Sequence, residues 1–259
     1  MAPLPVPSKA LVREVSASYE KFYAEAGITV DSHLVRRQHR DYVAALTRAS
    51  LSVMVLEGDA ERPDCVFVED TAVVWGDHAL IARTNSHREG EQPAVERALA
   101  ATHEISHVLA PAALEGGDVL HTESVTFVGL SARTNELGAE ALQTFLRRFG
   151  RRVIPVEVKK CLHLKSGATY LGDATVLVAP DLIDQNVFSG HSFIETAPGE
   201  AYAANCLRIG KYLLTLSGCP RTQEKLERFA SRVGADLIVL ECSEFRKGGG
   251  SLTCLSLIW

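Results

Sequence analysis

Short apolar runs of strand length alternate along this chain with longer stretches whose apolar positions recur at helical spacing. Residues 9–15 read as a strand, and 17–28 as a weakly patterned flap with exposed Tyr19, Phe22 and Tyr23. Over 32–48, Val35, His39, Tyr42, Val43 and Leu46 share one helical face, with Asp31 or Ser32 as N-cap, and a strand follows at 51–56. A strand pair, a helix and a return strand then recur, first at 65–82, 93–103 and 107–110, next at 118–130, 135–149 and 153–158. In the second of these helices Leu142, Phe145, Leu146 and Phe149 make a core stripe. A third pair at 162–178 leads through an irregular loop at 184–191 to a strand at 193–195. The fourth, 203–216, precedes a helix from Pro220 with Leu226, Phe229, Ala230 and Val233 inward, and then a strand at 236–241.

The last segment, 252–259, supplies one strand, and the strand at 9–15 is the partner it lacks. Five strand-pair units at intervals of roughly 45 to 50 residues form a pseudo-repeat that closes on itself, one domain over 1–259 with no linker. An open α/β sheet shares the same periodicity.

One stretch breaks the pattern. Residues 63–75 read as a strand pair buried on both faces, yet carry Asp64, Glu69 and Asp70. Buried carboxylates require a cationic partner, since an isolated buried charge costs more than strand packing returns. Either an Arg or Lys of the chain pairs with them, or they form a socket for a cationic ligand.

Bulk composition narrows the partners. The chain has 259 residues, 46% hydrophobic and 23% charged, with a formal charge of -5. It has no basic block for nucleic acid or an anionic membrane surface. No apolar run approaches the roughly 18 residues of a membrane span, and residues 1–9 lack the order of a signal peptide, so a cytoplasmic location is expected. Six dispersed cysteines without a CxxC pair are expected as free thiols, one of them a nucleophile.

His103-Glu104-Ile105-Ser106-His107 matches the HExxH zinc-peptidase pattern. That chemistry needs both His on one face of a continuous helix, whereas the helix here runs out near His103 and the second His enters a strand. Glu115 or Glu123 would be the third ligand. A dispersed set is more productive. Glu115-Gly116-Gly117-Asp118, Leu162-His163-Leu164 and Thr253-Cys254 stand at equivalent starts of inner strands, which converge in a pseudo-symmetric ring. Glu69, Asp70, Glu115, His163 and Cys254 would then meet, and Cys, His and carboxylate are the groups of nucleophilic catalysis. Arg133, between a strand and a helix capped by Thr134 or Asn135, can clamp a carboxylate, while Arg88 lies in a polar loop and reads as solvated.

Taken in order, these segments resemble the dimethylarginine dimethylaminohydrolase family of guanidine-modifying enzymes over almost the whole chain. The resemblance is carried by Pro-Asp-Cys-Val-Phe-Val-Glu-Asp at 63–70, Glu-Gly-Gly-Asp at 115–118 and Val-Gly-Leu-Ser-Ala-Arg-Thr-Asn at 128–135. Leu-His-Leu-Lys-Ser at 162–166, Ala-Ala-Asn-Cys at 203–206 and Leu-Thr-Cys-Leu-Ser at 252–256 complete it. It implies a five-bladed α/β propeller of ββαβ modules and the conversion of methylated arginines to citrulline and a methylamine. It also implies Cys254 as nucleophile, His163 as general acid and base, and Glu115 as its support. Asp64, Phe67, Glu69 and Asp70 would bind the substrate, the acids at its guanidinium end. Arg88 and Arg133 would take its carboxylate, and the carbonyl of Gly248 its amino group. No metal is required, although Cys254 and His163 could capture an inhibitory zinc, and a homodimer is compatible with the chain.

Relatives acting on free arginine are similar to one another in carrying His-x-Asp at the catalytic His, where this chain has Lys165; this favours an alkylated guanidine. The chain departs from the family in the loop 83–89, a residue shorter and with one Arg where a pair is usual, and in the three glycines 248–250. A hydrolase or deiminase of another guanidino compound and a binding protein on the same fold are the alternatives.

Overall fold

The computed structural model describes residues 6–259; the first five residues of the stretch read for a targeting signal lie outside them. Five three-stranded sheets make up the fold, each an antiparallel pair extended by a parallel outer strand. The blades run β3 (Ala72–Trp75), β4 (His78–Ile81), β5 (Glu104–His107); β6 (Val119–His121), β7 (Thr126–Leu130), β8 (Val153–Glu157); and β9 (Ala168–Gly172), β10 (Thr175–Val178), β11 (Ser192–Glu195). The fourth is β12 (Leu207–Ile209), β13 (Tyr212–Leu216), β14 (Asp236–Leu240). In the fifth, β1 (Lys9–Arg13) pairs antiparallel with β15 (Leu257–Ile258) and parallel with β2 (Ser52–Leu56). The two ends of the chain thus share a blade, as the missing strand predicted, and the fold is a five-bladed α/β propeller.

A parallel outer strand needs a crossover, and helices supply it in four blades. α1 (Tyr19–Glu25) and α2 (Ser32–Arg48) join β1 to β2; α3 (Gln92–Ala100), α4 (Glu136–Arg147) and, after the short α5 (Leu164–Gly167), α6 (Pro220–Val233) serve the first, second and fourth blades. The third pair crosses instead through the irregular loop that the sequence indicated, with a single 3₁₀ turn at Gln185–Val187. Asp31 caps α2, accepting from the amides of His33 and Leu34, and Asn135 caps α4 through the amide of Gly138. Each cap is worth about 1 kcal/mol. Leu142, Phe145 and Leu146 of α4 are buried against β6 and β7 as their spacing predicted, each contributing roughly 1.5–3 kcal/mol of burial.

Four local expectations are corrected. Residues 17–28 do not form a loose flap: α1 buries Tyr19 and Tyr23 against Phe67 and Phe245, because aromatic residues four apart share one helical face. The return strand of the first repeat is β5, three residues earlier than read, because α3 already ends at Ala100. Arg88 is buried rather than solvated. The fourth correction shapes the site. Residues 63–71 are not strand but two successive 3₁₀ turns, Pro63–Val66 and Val68–Thr71, with β3 starting only at Ala72. Pro63 sets the first turn, and the Thr71 hydroxyl closes the second on the carbonyl of Val68.

A short helical turn, 3₁₀ in every case but α5, recurs before every inner strand. Turns at Gly116–Asp118, Leu164–Gly167, Ala201–Ala204 and Thr253–Leu255 precede β6, β9, β12 and β15. The chain therefore turns sharply near the axis instead of running straight through it. In such turns, side chains of consecutive residues diverge by about 120°, so one turn can serve both sides of the ring.

Candidate active site

These turns deliver the chemistry-bearing side chains. Asp64, Phe67, Asp70, His87, Arg88, Glu115, Arg133, Leu162, His163, Gly248–Gly250 and Cys254 line one cavity of about 70 Å³. It unites residues from six separate stretches of sequence, so almost all of the expected set is brought together. Glu69 is the exception: its carboxylate takes Lys165 Nζ at 2.5 Å and Thr253 Oγ1 at 2.8 Å and faces a different cavity.

His163 precedes its turn in extended backbone, and its Nε2 lies 2.7 Å from Glu115 Oε2 and 3.8 Å from Asp70 Oδ1. Burial works against the imidazolium, yet Asp70 and Glu115 raise the group from 6.5 to about 9. Gly117 makes the approach possible, because a Cβ there would stand 2.7 Å from His163 Nδ1 and 2.8 Å from Asp70 Oδ1. The other Glu115 oxygen accepts from the amide of Asn85 at 3.1 Å and from Arg133 Nη1 at 3.5 Å.

Asp70 accepts from the amide of Gly117 and from Arg88 Nη1. Burial opposes its ionisation, but His163 and Arg88 hold it below the usual carboxylate range. Arg88 is fully committed, donating to Asp70, to both Glu91 oxygens and to the carbonyl of Phe67. His87, half-exposed, is the member of that loop that presents an uncommitted edge to the cavity, with Nε2 3.9 Å from Asp64 Oδ2. The shortened loop thus withdraws Arg88 into a buried ion pair and offers an imidazole beside it.

Cys254 lies in the turn before β15. Burial first, then the charges of Glu69 and Asp70, push its thiol far above the ordinary value. A buried cation would reverse that balance.

Three residues that hold the site were not singled out in the sequence as doing so. Asp118 accepts from the hydroxyls of Ser131 and Thr134 and from the amide of Leu164, while Thr134 Oγ1 accepts the amide of Glu115. One buried carboxylate therefore ties the Glu115, Arg133 and His163 segments together. Asn205, on the one turn that brings no reactive group, holds Thr253 by its amide and hydroxyl and so fixes the residue before Cys254. Tyr23 donates to Asp64 at 2.6 Å. The signal for the first two was present, since Asp118 and Asn205 sit inside the quoted motifs.

Among the described residues, one group of potential metal ligands has its atoms within 4.8 Å of one another: Asp70, Glu115 and His163. Cys254 is not in it, and Arg88 and Arg133 already donate to its two carboxylates. His103 and His107 fall on a turn and on β5; the first contacts the Leu99 carbonyl and Trp259, the second Glu96. No described helix is long and apolar enough to cross a membrane.

The sequence profile described as N,N dimethylarginine dimethylhydrolase, eukaryotic, matches residues 7–257. The chain belongs to the dimethylarginine dimethylaminohydrolase family. It is a hydrolase acting on C–N bonds. It is 36% identical over 257 residues to the N(G),N(G)-dimethylarginine dimethylaminohydrolase of Streptomyces coelicolor, with 96% of each chain covered. It is 33% identical over 223 residues to that of Pseudomonas aeruginosa, covering 85% of this chain and 86% of the relative. The structure of a Cys-to-Ser mutant of the P. aeruginosa enzyme complexed with citrulline superposes with a TM-score of 0.90 at 28% identity, over 98% of this chain and 100% of that one.

Proposed function

We propose that this member of the family hydrolyses N-omega-methylated arginines to L-citrulline and a methylamine through a covalent thiouronium on Cys254. The observation that carries the reading is the single buried cavity in which Cys254 and a raised-pKa His163 meet the carboxylates of Asp70 and Glu115. A guanidinium entering it supplies the positive charge that the Cys254 thiol needs in order to ionise. The bound cation offsets the field of Glu69 and Asp70, and the thiol proton is lost to solvent. Thiolate attack on the guanidinium carbon gives a neutral tetrahedral adduct.

Charged His163 then passes its proton to the substituted nitrogen, the C–N bond breaks, and dimethylamine departs from a positively charged thiouronium. Neutral His163 takes a proton from water, and the resulting hydroxide adds to the same carbon. Collapse expels the Cys254 thiolate and leaves citrulline; the remaining proton goes to the amine. Glu115 and Asp70 hold the imidazolium through both transfers. Lys165 supports an alkylated substrate, because its ammonium turns away to Glu69 and no carboxylate from that position reaches the cavity to hold a bare nitrogen.

The test is citrulline formation from asymmetric dimethylarginine, monomethylarginine and arginine, with the released amine identified. Dimethylamine from the first, and no activity in Cys254→Ser at unchanged thermal stability, is the expected result. Preferred release of ammonia from arginine would sink the reading.

A further inference from the structure

All five inner strands, β3, β6, β9, β12 and β15, line a second cavity of about 310 Å³, against about 70 Å³ for the one that holds Cys254. A space of that size admits a small organic molecule. Its wall is apolar and aromatic: Val119, Leu207 and Ile258 with the rings of Trp75, Tyr170 and Trp259. No step of the proposed reaction uses it.

The polar groups around it indicate the sign of an occupant. Of its two carboxylates, Glu69 is committed to Lys165 and Thr253, and Glu123 is exposed. Burial, then the charge of Lys165, lowers His121 to about 3, so it adds no charge. The cations are less committed. Lys165 Nζ donates only to Glu69, and Arg208 donates through Nε to the carbonyl of Gly210 and through Nη1 to that of Leu171. Among the described residues, two N–H bonds of the ammonium and the Nη2 of the guanidinium therefore have no protein partner. Aromatic walls with free cationic donors suit a flat ring that carries one carboxylate. An ammonium would meet two cations, with only the exposed Glu123 to pair it.

The floor of this cavity is shared with the reaction site. Glu69, Lys165 and Thr253 line it, and each stands one or two residues from a side chain of the other cavity: Asp70, His163 and Cys254. Asn205 ties two of the three together, donating to the carbonyl of Lys165 and to the hydroxyl of Thr253, both at 3.0 Å. The charge of Glu69 raises the Cys254 thiol and that of Lys165 lowers it. An anion that engages Lys165 leaves Glu69 less compensated, and the thiolate becomes harder to form.

We propose that the second cavity is a binding site for small aromatic carboxylates, received by Lys165 and Arg208, and that its occupant slows the reaction at Cys254 across the Glu69–Lys165 pair. The effect on turnover rests on the proposed function above; the binding does not.

Trp75 and Trp259 are the two tryptophans of the chain and both line the cavity, so tryptophan fluorescence reads its occupancy without any turnover. Phenylacetate, phenylacetamide and phenethylamine present one ring with an anionic, a neutral and a cationic arm. Titrated into wild type, phenylacetate should give a saturable change with a Kd about tenfold below that of the amide. Arg208→Gln should weaken the acid about tenfold, the weight of one charge-assisted hydrogen bond, and leave the amide unchanged. The comparison of the three compounds in wild type decides the site even where the variant does not fold. In citrulline assays, saturating phenylacetate should lower kcat about fivefold to a plateau, with KM for the methylated arginine within about twofold. No saturable fluorescence change with the acid, or tighter binding of the amide or the amine, overturns the site. A rise in KM at constant kcat puts the acid in the substrate cavity and overturns it as well. Saturable binding with citrulline formation untouched overturns the coupling. Wild type that forms no citrulline from any methylated arginine removes the proposed function and the coupling with it, while the fluorescence titration still decides the site.

Discussion

Glu69 and Asp70 are neighbours on one 3₁₀ turn, both carboxylates and both buried, yet they do opposite things. Asp70 faces the cavity that holds Cys254, within 3.8 Å of His163, and is kept ionised by His163 and Arg88 against its burial. Glu69 faces the second cavity, of about 310 Å³ and lined also by Trp75, His121, Tyr170 and Trp259, where Lys165 and Thr253 hold it. Burial dominates there and pushes its carboxyl up. Structural pairing therefore describes Glu69 with Lys165 and Asp70 with Arg88 alike, but the two pairs face different cavities, one residue apart. A strand would also send consecutive side chains to opposite faces, but these turns do so at the axis of the ring, where the two faces are two different cavities.

The contrast predicts two variants with separable effects. Asp70→Asn removes a carboxylate charge 3.8 Å from His163 while Arg88 keeps Glu91 and the Phe67 carbonyl. kcat/KM for citrulline formation should fall by about 10²–10³-fold, in the range of a lost general-acid function, with a modest change in melting temperature. Glu69→Gln should do the reverse. It strips the partner from a mostly buried ammonium at a cost of about 3 kcal/mol, or roughly 6–12 °C in Tm for a chain of this length, with kcat within about tenfold of wild type. Equal losses of activity in the two variants would erase the distinction between the faces.

How far the chain can be read without its coordinates follows the same line. The blades were legible because helical and strand periodicities survive in short segments, and because a terminal strand without a partner demands one. His163, Cys254 and Glu115 were legible as equivalent positions in a repeat. The turns were not, since an apolar run such as Cys65–Val66–Phe67–Val68 has no period that separates a buried 3₁₀ turn from a buried strand. With the turns went the direction of each acid, and so the parting of Glu69 from Asp70. Arg88 was misread for a related reason: a polar loop gives no sign that Glu91 and Asp70 close over its guanidinium. Tyr23 was hidden because its partners, Asp64 and Gly248, are distant in sequence.

The smallest expected effect tests the cavity side alone. His163 is raised from 6.5 to about 9 in the folded protein, which therefore binds a proton more tightly than the unfolded chain does. Its contribution to stability is fully present below pH 6.5 and is lost as the pH climbs through about 9. Unfolding free energy, measured by denaturant titration across that window, should decline with rising pH. Glu115→Gln leaves the imidazolium with Asp70 as its nearest charge, and should lower the His163 value by about one unit, which reduces the decline by ~1.4 kcal/mol. Glu69→Gln, acting on the other face, should leave the slope of that decline as in wild type even though the whole curve drops. A slope that changes equally in both variants would show that His163 senses the summed charge of the turn and not the face on which each carboxylate lies.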